Sequence, residues 1–255
     1  MLRKVRKLVP TTRYALESFH DFSGATRESA DLFFYREFLH FSPIPETPPD
    51  FLKKLWVHGM ILPGKSLFED GTQSIEGLYF LVSLAKALDA RRVFEFGTFT
   101  GVTAYTLAMN LPQSTIHTLD LPAGGLPSLN VEKEDKGYIP SNSRTRAFDG
   151  TREATRIVQH EGDSAKFDFS GWKSFFDLVY IDGAHSYDYV ASDTRHAFQM
   201  ICESAGAIVW DDYGPGWPGV VEYLDGRKDL HLYRVPGTRL VFWLSDGAAA
   251  RLIQN

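Results

Sequence analysis

Acidic residues recur where short apolar runs of this chain come to an end. "VFEFGTFTGVTAYTL" carries Glu95, Gly97 and Gly101; "HTLDL" carries Asp120; "GDSAKFDF" carries Asp163 and Ser164. "FDLVYIDGAH" carries Asp182 and His185, and "GAIVWDDY" carries Asp211 and Asp212. Carboxylates accept hydrogen bonds, hold cations and move protons. A glycine-broken turn after an apolar run lets backbone approach a ligand closely. These residue types suit the binding of a nucleotide-like molecule and the removal of a proton from a second one.

The glycine spacing narrows the ligand. A turn that holds a pyrophosphate reads G-x-G-x-x-G, because its backbone must reach two phosphates. Here Thr98, Phe99 and Thr100 separate Gly97 from Gly101. Phe99 would crowd a diphosphate, and Glu95 beside the turn suits a cation. S-adenosylmethionine carries a sulfonium and an ammonium and has no phosphate. Asp120, about twenty residues further on, is spaced to accept from both ribose hydroxyls. A nicotinamide cofactor would use it in the same way, so Asp120 alone does not discriminate. Asp163, with Ser164 beside it, is placed to accept from an adenine amino group. On this reading a valine at Gly97 would block the ligand and leave the fold intact.

Such residues need strand ends and turns to hold them. "RVFEF", "TIHTLDL", "FDLVYIDG" and "GAIVWDDY" alternate with the helical patterns "GVTAYTLAMN" and "SYDYVASDTRHAFQMICES". That alternation predicts an α/β fold, a doubly wound and mostly parallel sheet with helices on both faces. "LHLYRV" and "RLVFWL" around Pro236-Gly237 read as a closing antiparallel hairpin. In such sheets ligands bind at the carboxyl ends of the strands. Upstream, Thr12 to Phe41 has a helical pattern, with Leu16, Phe19, Phe22, Leu32, Phe33 and Phe38 as candidate buried positions. The proline-rich "FSPIPETPPDF" follows, and then "GTQSIEGLYFLVSLAKALDA" is helical, with Gln73 and Ser74 near its start. The division is an N-terminal helical extension over 1–71 and a ligand-binding domain over 72–255. Residues 122–153 are polar and rich in Gly, Pro and Ser. A loop of that length covers a substrate or is a bland insertion.

The net charge of -5 implies no general attraction to nucleic acid. Cys202 is the only cysteine, so no intrachain disulfide forms and a cysteine-built zinc site is excluded. No apolar run is long enough for a membrane span, and "MLRKVRKLVP" lacks the apolar core of a signal peptide. A cytoplasmic protein without stable membrane association is expected.

The five strand-end segments, in this order and spacing, resemble the successive motifs of class I S-adenosylmethionine-dependent methyltransferases. The closest likeness is to the O-methyltransferase branch with "IDGxHxY", which includes macrolide-sugar O-methyltransferases. It covers about Thr72 to Leu244 and does not extend to the first seventy or so residues. It implies a Rossmann-like seven-stranded sheet ending in a reversed hairpin, and a small-molecule acceptor methylated on a hydroxyl. For the donor it implies Glu95, Gly97, Thr98, Gly101, Asp120, Leu121, Asp163, Ser164 and Asp182. In metal-dependent relatives the positions of Asp182, Asp211 and Asp212 hold Mg²⁺ or another divalent cation, and His185 would be the base, with Asp182 beside it. Many relatives have "WHDY" where this chain has "WDDY", so a metal-free base and strand-end caps stay open for these acids. Tyr187 and Tyr189 read as packing residues; Tyr213 and Trp217 either stack on the acceptor or pack on the core. The N-terminal helices cover the acceptor or build a homo-oligomer contact. The rival readings are a nicotinamide-dependent oxidoreductase, disfavoured by the glycine spacing, and a non-catalytic cofactor-binding protein.

Overall fold

A computed structural model describes residues 38–68, 71–133, 135–137 and 145–252. Most of the expected N-terminal helical region, including Leu16, Phe19, Phe22, Leu32 and Phe33, lies outside the described residues.

Seven strands form one sheet: β1 Arg92–Phe96, β2 Thr115–Asp120, β3 Ile157–Glu161, β4 Leu178–Ile181, β5 Ala207–Trp210, β6 Tyr233–Arg234 and β7 Val241–Leu244. Their order is β3-β2-β1-β4-β5-β7-β6. β1 to β5 run parallel, and β7 pairs antiparallel with both β5 and β6. This is the expected Rossmann-like α/β fold. The hairpin is shorter than "LHLYRV" and "RLVFWL" suggested, because β6 keeps only two residues. Segment 44–47 covers that edge: Thr47 donates its N–H and its hydroxyl to the Arg234 carbonyl, and the Arg234 N–H donates to the Pro45 carbonyl.

Among the described residues six α-helices complete the fold: α1 Pro49–Leu55, α2 Ile75–Ala87, α3 Val102–Asn110, α4 Tyr187–Met200, α5 Pro218–Gly226 and α6 Asp246–Leu252. The α2 and α4 starts follow from capping serines. Ser74 accepts from the Gly77 N–H, and Ser186 from the Tyr189 N–H. No helix among the described residues is long and apolar enough to cross a membrane. β4 and β5 are buried along their whole length, as strands covered on both faces must be. β1 sends Val93 into one core, with Leu81, Leu107 and Phe242, and Phe94 and Phe96 into the other, with Phe176 and Trp210. Phe51, Leu52 and Leu55 of α1 belong to the first of these cores, and Phe51 stacks on Phe242. Described residues upstream of 72 thus pack against the same sheet.

β1 lies between β2 and β4, where the strand order reverses. Its end is fixed by the chain itself. The Gly97 N–H donates to the Leu119 carbonyl, and the Asp182 N–H to the Phe96 carbonyl. Gly97 has φ +88°, and a Cβ there would overlap the Asp182 carbonyl oxygen. The space a side chain would enter at Gly97 is therefore occupied by the backbone of the next strand, which corrects the expectation that enlarging Gly97 spares the fold.

Candidate functional site

A cavity opens at the carboxyl ends of β1 to β5, on both sides of the β1–β4 junction. Gly97, Asp120, Leu121, Asp163 and Ser164 line one side; Asp182, His185, Asp211 and Asp212 line the other. Nine of the sequence-derived site residues therefore meet in one place. Glu95, Thr98 and Gly101 do not line it. Glu95 is 1% exposed and accepts from the Thr118 hydroxyl at 2.5 Å, and burial pushes its carboxyl up to about 8 although that hydrogen bond opposes it. Thr98 is buried against the same Thr118 hydroxyl at 2.7 Å. Gly101 has φ +76° and opens α3; a Cβ there would stand 2.6 Å from the Phe148 ring.

On the first side Asp120 ends β2. Its Oδ2 accepts from the Phe99 N–H (3.1 Å) and the Arg146 guanidinium (3.3 Å), and its Oδ1 from the Leu121 N–H (2.9 Å). Burial pushes its carboxyl up to about 6, against the pull of Arg146. A carboxylate has about four lone-pair sites, so one stays open toward the cavity. Asp163 accepts from the N–H of Ser128 (2.7 Å), the N–H of Ala165 (3.0 Å) and the Tyr189 hydroxyl (3.0 Å). Burial alone would raise its carboxyl, but these bonds hold it below the usual range. Tyr189, expected only to pack, thereby ties α4 to Asp163, and its hydroxyl also accepts from the Ser128 N–H at 3.1 Å.

On the second side the chain assembles a network of acids. The Tyr180 hydroxyl lies 2.9 Å from Asp182 Oδ2 and 2.9 Å from Asp211 Oδ2. Gln73 Nε2 donates to the Tyr180 oxygen (2.8 Å) and to Asp211 (2.5 Å). The tyrosine has one proton and two carboxyl neighbours, so the pair is relaxed only when one carboxyl is itself protonated. Burial pushes both acids that way. Asp182 is raised well above the usual carboxylate range by burial and then by Asp211 and Asp212; Asp211 is raised to about 6.

His185 is held from three directions. Its Nδ1 lies 2.5 Å from Asp135, whose other oxygen accepts the His185 N–H at 3.1 Å. Its Nε2 lies 2.7 Å from Asp212 Oδ2, and its ring stacks on Trp217 with centroids 3.8 Å apart. Burial would lower its pKa, but the two carboxylates outweigh that and raise it to about 10. Without a cation beside it, this arrangement favours the protonated ring over a neutral base. Arg239 Nε, half-exposed, lies 3.1 Å from the other oxygen of Asp212. Burial tends to raise Asp212, but His185 and Arg239 hold it below the usual range.

One oxygen or nitrogen from each of Asp182, His185 and Asp212 lies within 4.8 Å of the others. This set fits a divalent cation. Imidazole and carboxylate are its ordinary ligands, and a carboxylate on the far ring nitrogen is the usual support of a metal-bound histidine. Asp211, expected as a ligand, instead points to Gln73 and Tyr180. Sequence reasoning missed Asp135, Gln73, Arg146 and Arg239. The one signal available for Asp135 was its place in the long polar loop expected over 122–153.

Residues 94–213 match a family model described as a methyltransferase domain. Among solved structures, the chain is similar to the O-methyltransferase TomG from Streptomyces achromogenes, involved in tomaymycin synthesis and in complex with SAM. The two are 18% identical, with a TM-score of 0.50, covering 84% of this chain and 98% of that one. The SAH-bound methyltransferase PaMTH1 of Podospora anserina is 16% identical at TM-score 0.49, covering 87% and 96%. The likeness to TomG is one of fold. No curated protein matches the chain significantly.

Proposed function

We propose, from the match of residues 94–213 to a methyltransferase-domain model, that the protein transfers a methyl group from S-adenosylmethionine to a hydroxyl of a small molecule with the help of a divalent cation. The observation that carries this reading is one cavity with two chemically different sides. One side offers hydrogen-bond acceptors spaced for ribose and adenine, at Asp120 and Asp163. The other offers Asp182, His185 and Asp212 converging within 4.8 Å.

The donor supplies an electrophilic methyl on a sulfonium, and a divalent cation would lower the pKa of an acceptor hydroxyl. The remaining work falls to this chain. The turn after β1 lines the cavity at Gly97 and Phe99, where the methionine end would lie, and Asp120 would accept from the ribose. Asp182 and Asp212 would hold the cation together with Nε2 of His185, and Asp135 keeps the proton on Nδ1. Four acidic side chains, Asp135, Asp182, Asp211 and Asp212, converge here with the guanidinium of Arg239, and a cation bound at Nε2 would displace the ring proton that these acids otherwise favour. Asp182, at the end of β4 and lining this side of the cavity, is the acid placed to take the hydroxyl proton when it is ionised. Trp217 offers a flat apolar surface for the acceptor only beyond the face it shares with His185.

Two measurements test this reading. S-adenosylhomocysteine should bind in calorimetry and raise the melting temperature, and NAD should do neither. Asp120→Ala should weaken that binding about ten- to hundredfold, the loss expected of a charge-assisted hydrogen bond. NAD binding without any response to S-adenosylhomocysteine would defeat the assignment. For the cation, Mn²⁺ titrated into the complex with S-adenosylhomocysteine should bind with one-to-one stoichiometry. Asp212→Asn should weaken the cation at least tenfold and leave S-adenosylhomocysteine affinity within about twofold, since donor contacts depend on other residues. Absence of Mn²⁺ binding at millimolar concentration would leave the transfer without a metal.

A further inference from the structure

Asp193 has no role in the reading given above. It lies on α4, is 1% exposed, and lines the cavity. Neither of its carboxylate oxygens has a hydrogen-bond partner of good geometry among the described residues. The Ser164 hydroxyl beside it is a neighbouring donor that can turn toward it. A buried carboxylate without donors is costly, so such a group is expected to meet one in the functional state.

Its surroundings say which donor. Asp193 is one helical turn after Tyr189, so both point from the same face of α4. Tyr189 reaches Asp163, and Ser164 follows Asp163 at the end of β3. Gly183, which also lines the cavity, adjoins Asp193: a Cβ there would stand 3.4 Å from Asp193 Oδ2. Asp163, the residue expected to read the adenine amino group, already accepts three hydrogen bonds from Ser128, Ala165 and Tyr189. Asp193 is a buried acceptor without a partner of good geometry on that side of the cavity.

We propose that Asp193 is a donor-binding residue whose carboxylate accepts a hydrogen bond from the exocyclic amino group of adenine, sharing with Asp163 the selection of an aminopurine. The inference rests on the S-adenosylmethionine reading.

The test is calorimetry with S-adenosylhomocysteine, S-inosylhomocysteine, in which an oxo group replaces the amino group, and 5′-methylthioadenosine, which lacks the amino acid. The native protein should prefer the adenosyl over the inosyl compound by about tenfold or more. Asp193→Leu, close in shape, should lose about ten- to hundredfold in adenosyl affinity and most of that preference. It should bind methylthioadenosine with a similar loss. Its melting temperature without ligand should change little, since in the free protein the carboxyl has at most the Ser164 hydroxyl to lose. A lowered melting temperature with unchanged affinities would make Asp193 structural and overturn the proposal. So would a loss that disappears with methylthioadenosine, which would assign Asp193 to the ammonium instead. If the native protein binds none of the three, the donor reading itself fails; if it binds them and Asp193→Leu binds equally well, only this inference fails.

Discussion

Gly97→Val is expected to unfold the protein at temperatures where the native chain is stable, rather than to empty a ligand site in an intact fold. The backbone at Gly97 has φ +88°, a conformation that β-branched residues resist, and the added Cβ would collide with the Asp182 carbonyl. That carbonyl belongs to the end of β4, which is tied to β1 by the Asp182 N–H to Phe96 carbonyl bond. Neither strand can retreat without loosening the centre of the sheet. Backbone strain costs about 1–3 kcal/mol, and displacing a buried strand end should bring the total to about 4 kcal/mol or more. Urea denaturation checks this; Gly97→Ala should be less severe but still destabilised. A Gly97→Val protein of native stability would show that the β1–β4 junction can open.

His185→Gln should destabilise the protein by about 3–5 kcal/mol at pH 7 in the presence of a chelator, the usual effect of removing one partner from a buried ion pair. Asp135 and Asp212 would both remain buried, with Arg239 and the Trp217 side chain left beside Asp212. The pH dependence has a definite sign. The folded pKa of His185, about 10, lies above its ordinary 6.5. The folded state therefore holds the proton more tightly than the unfolded chain. The resulting stabilisation is fully present below pH 6.5 and is lost as pH rises through 10. At most it amounts to about 5 kcal/mol, since a tenfold difference in proton affinity between the folded and unfolded chain is worth about 1.4 kcal/mol. Denaturant titrations from pH 6 to 10 should show the native protein losing more stability than His185→Gln. Parallel curves for the two would mean that His185 is not held as a cation.

The two expectations show how far the sequence could be read. Strand-end acids were legible because a parallel sheet brings every carboxyl end to one edge, whatever the lengths of the connections. Asp120, Asp163, Asp182 and Asp212 came together for that reason. Asp211 beside Asp212 could not be resolved. Neighbours on extended chain point to opposite sides, and Asp212 has φ 59°. One carboxylate therefore turns to Gln73 and Tyr180 while the next faces His185. The partners that set the state of these acids were not legible. Gln73 precedes a helix, Asp135 and Arg146 come from the long loop, and Arg239 lies just before β7; none is near its partner in the chain. The conformation of Gly97 was inferred rightly as a need for glycine, but the obstacle was misjudged, because sequence does not show which backbone passes beside a turn.

Because β1 separates β2 and β3 from β4, β5 and β7, the two ends of the cavity are furnished by different stretches of chain. Residues 97–164 build most of one end, and residues 182–239 most of the other. On the methyl-transfer reading proposed above, the second stretch could change with the acceptor while the first stays fixed on the donor. α4 is the exception. It begins beside His185 and carries Tyr189 and Asp193 across to the opposite end, so it is the element on which such change would be least free.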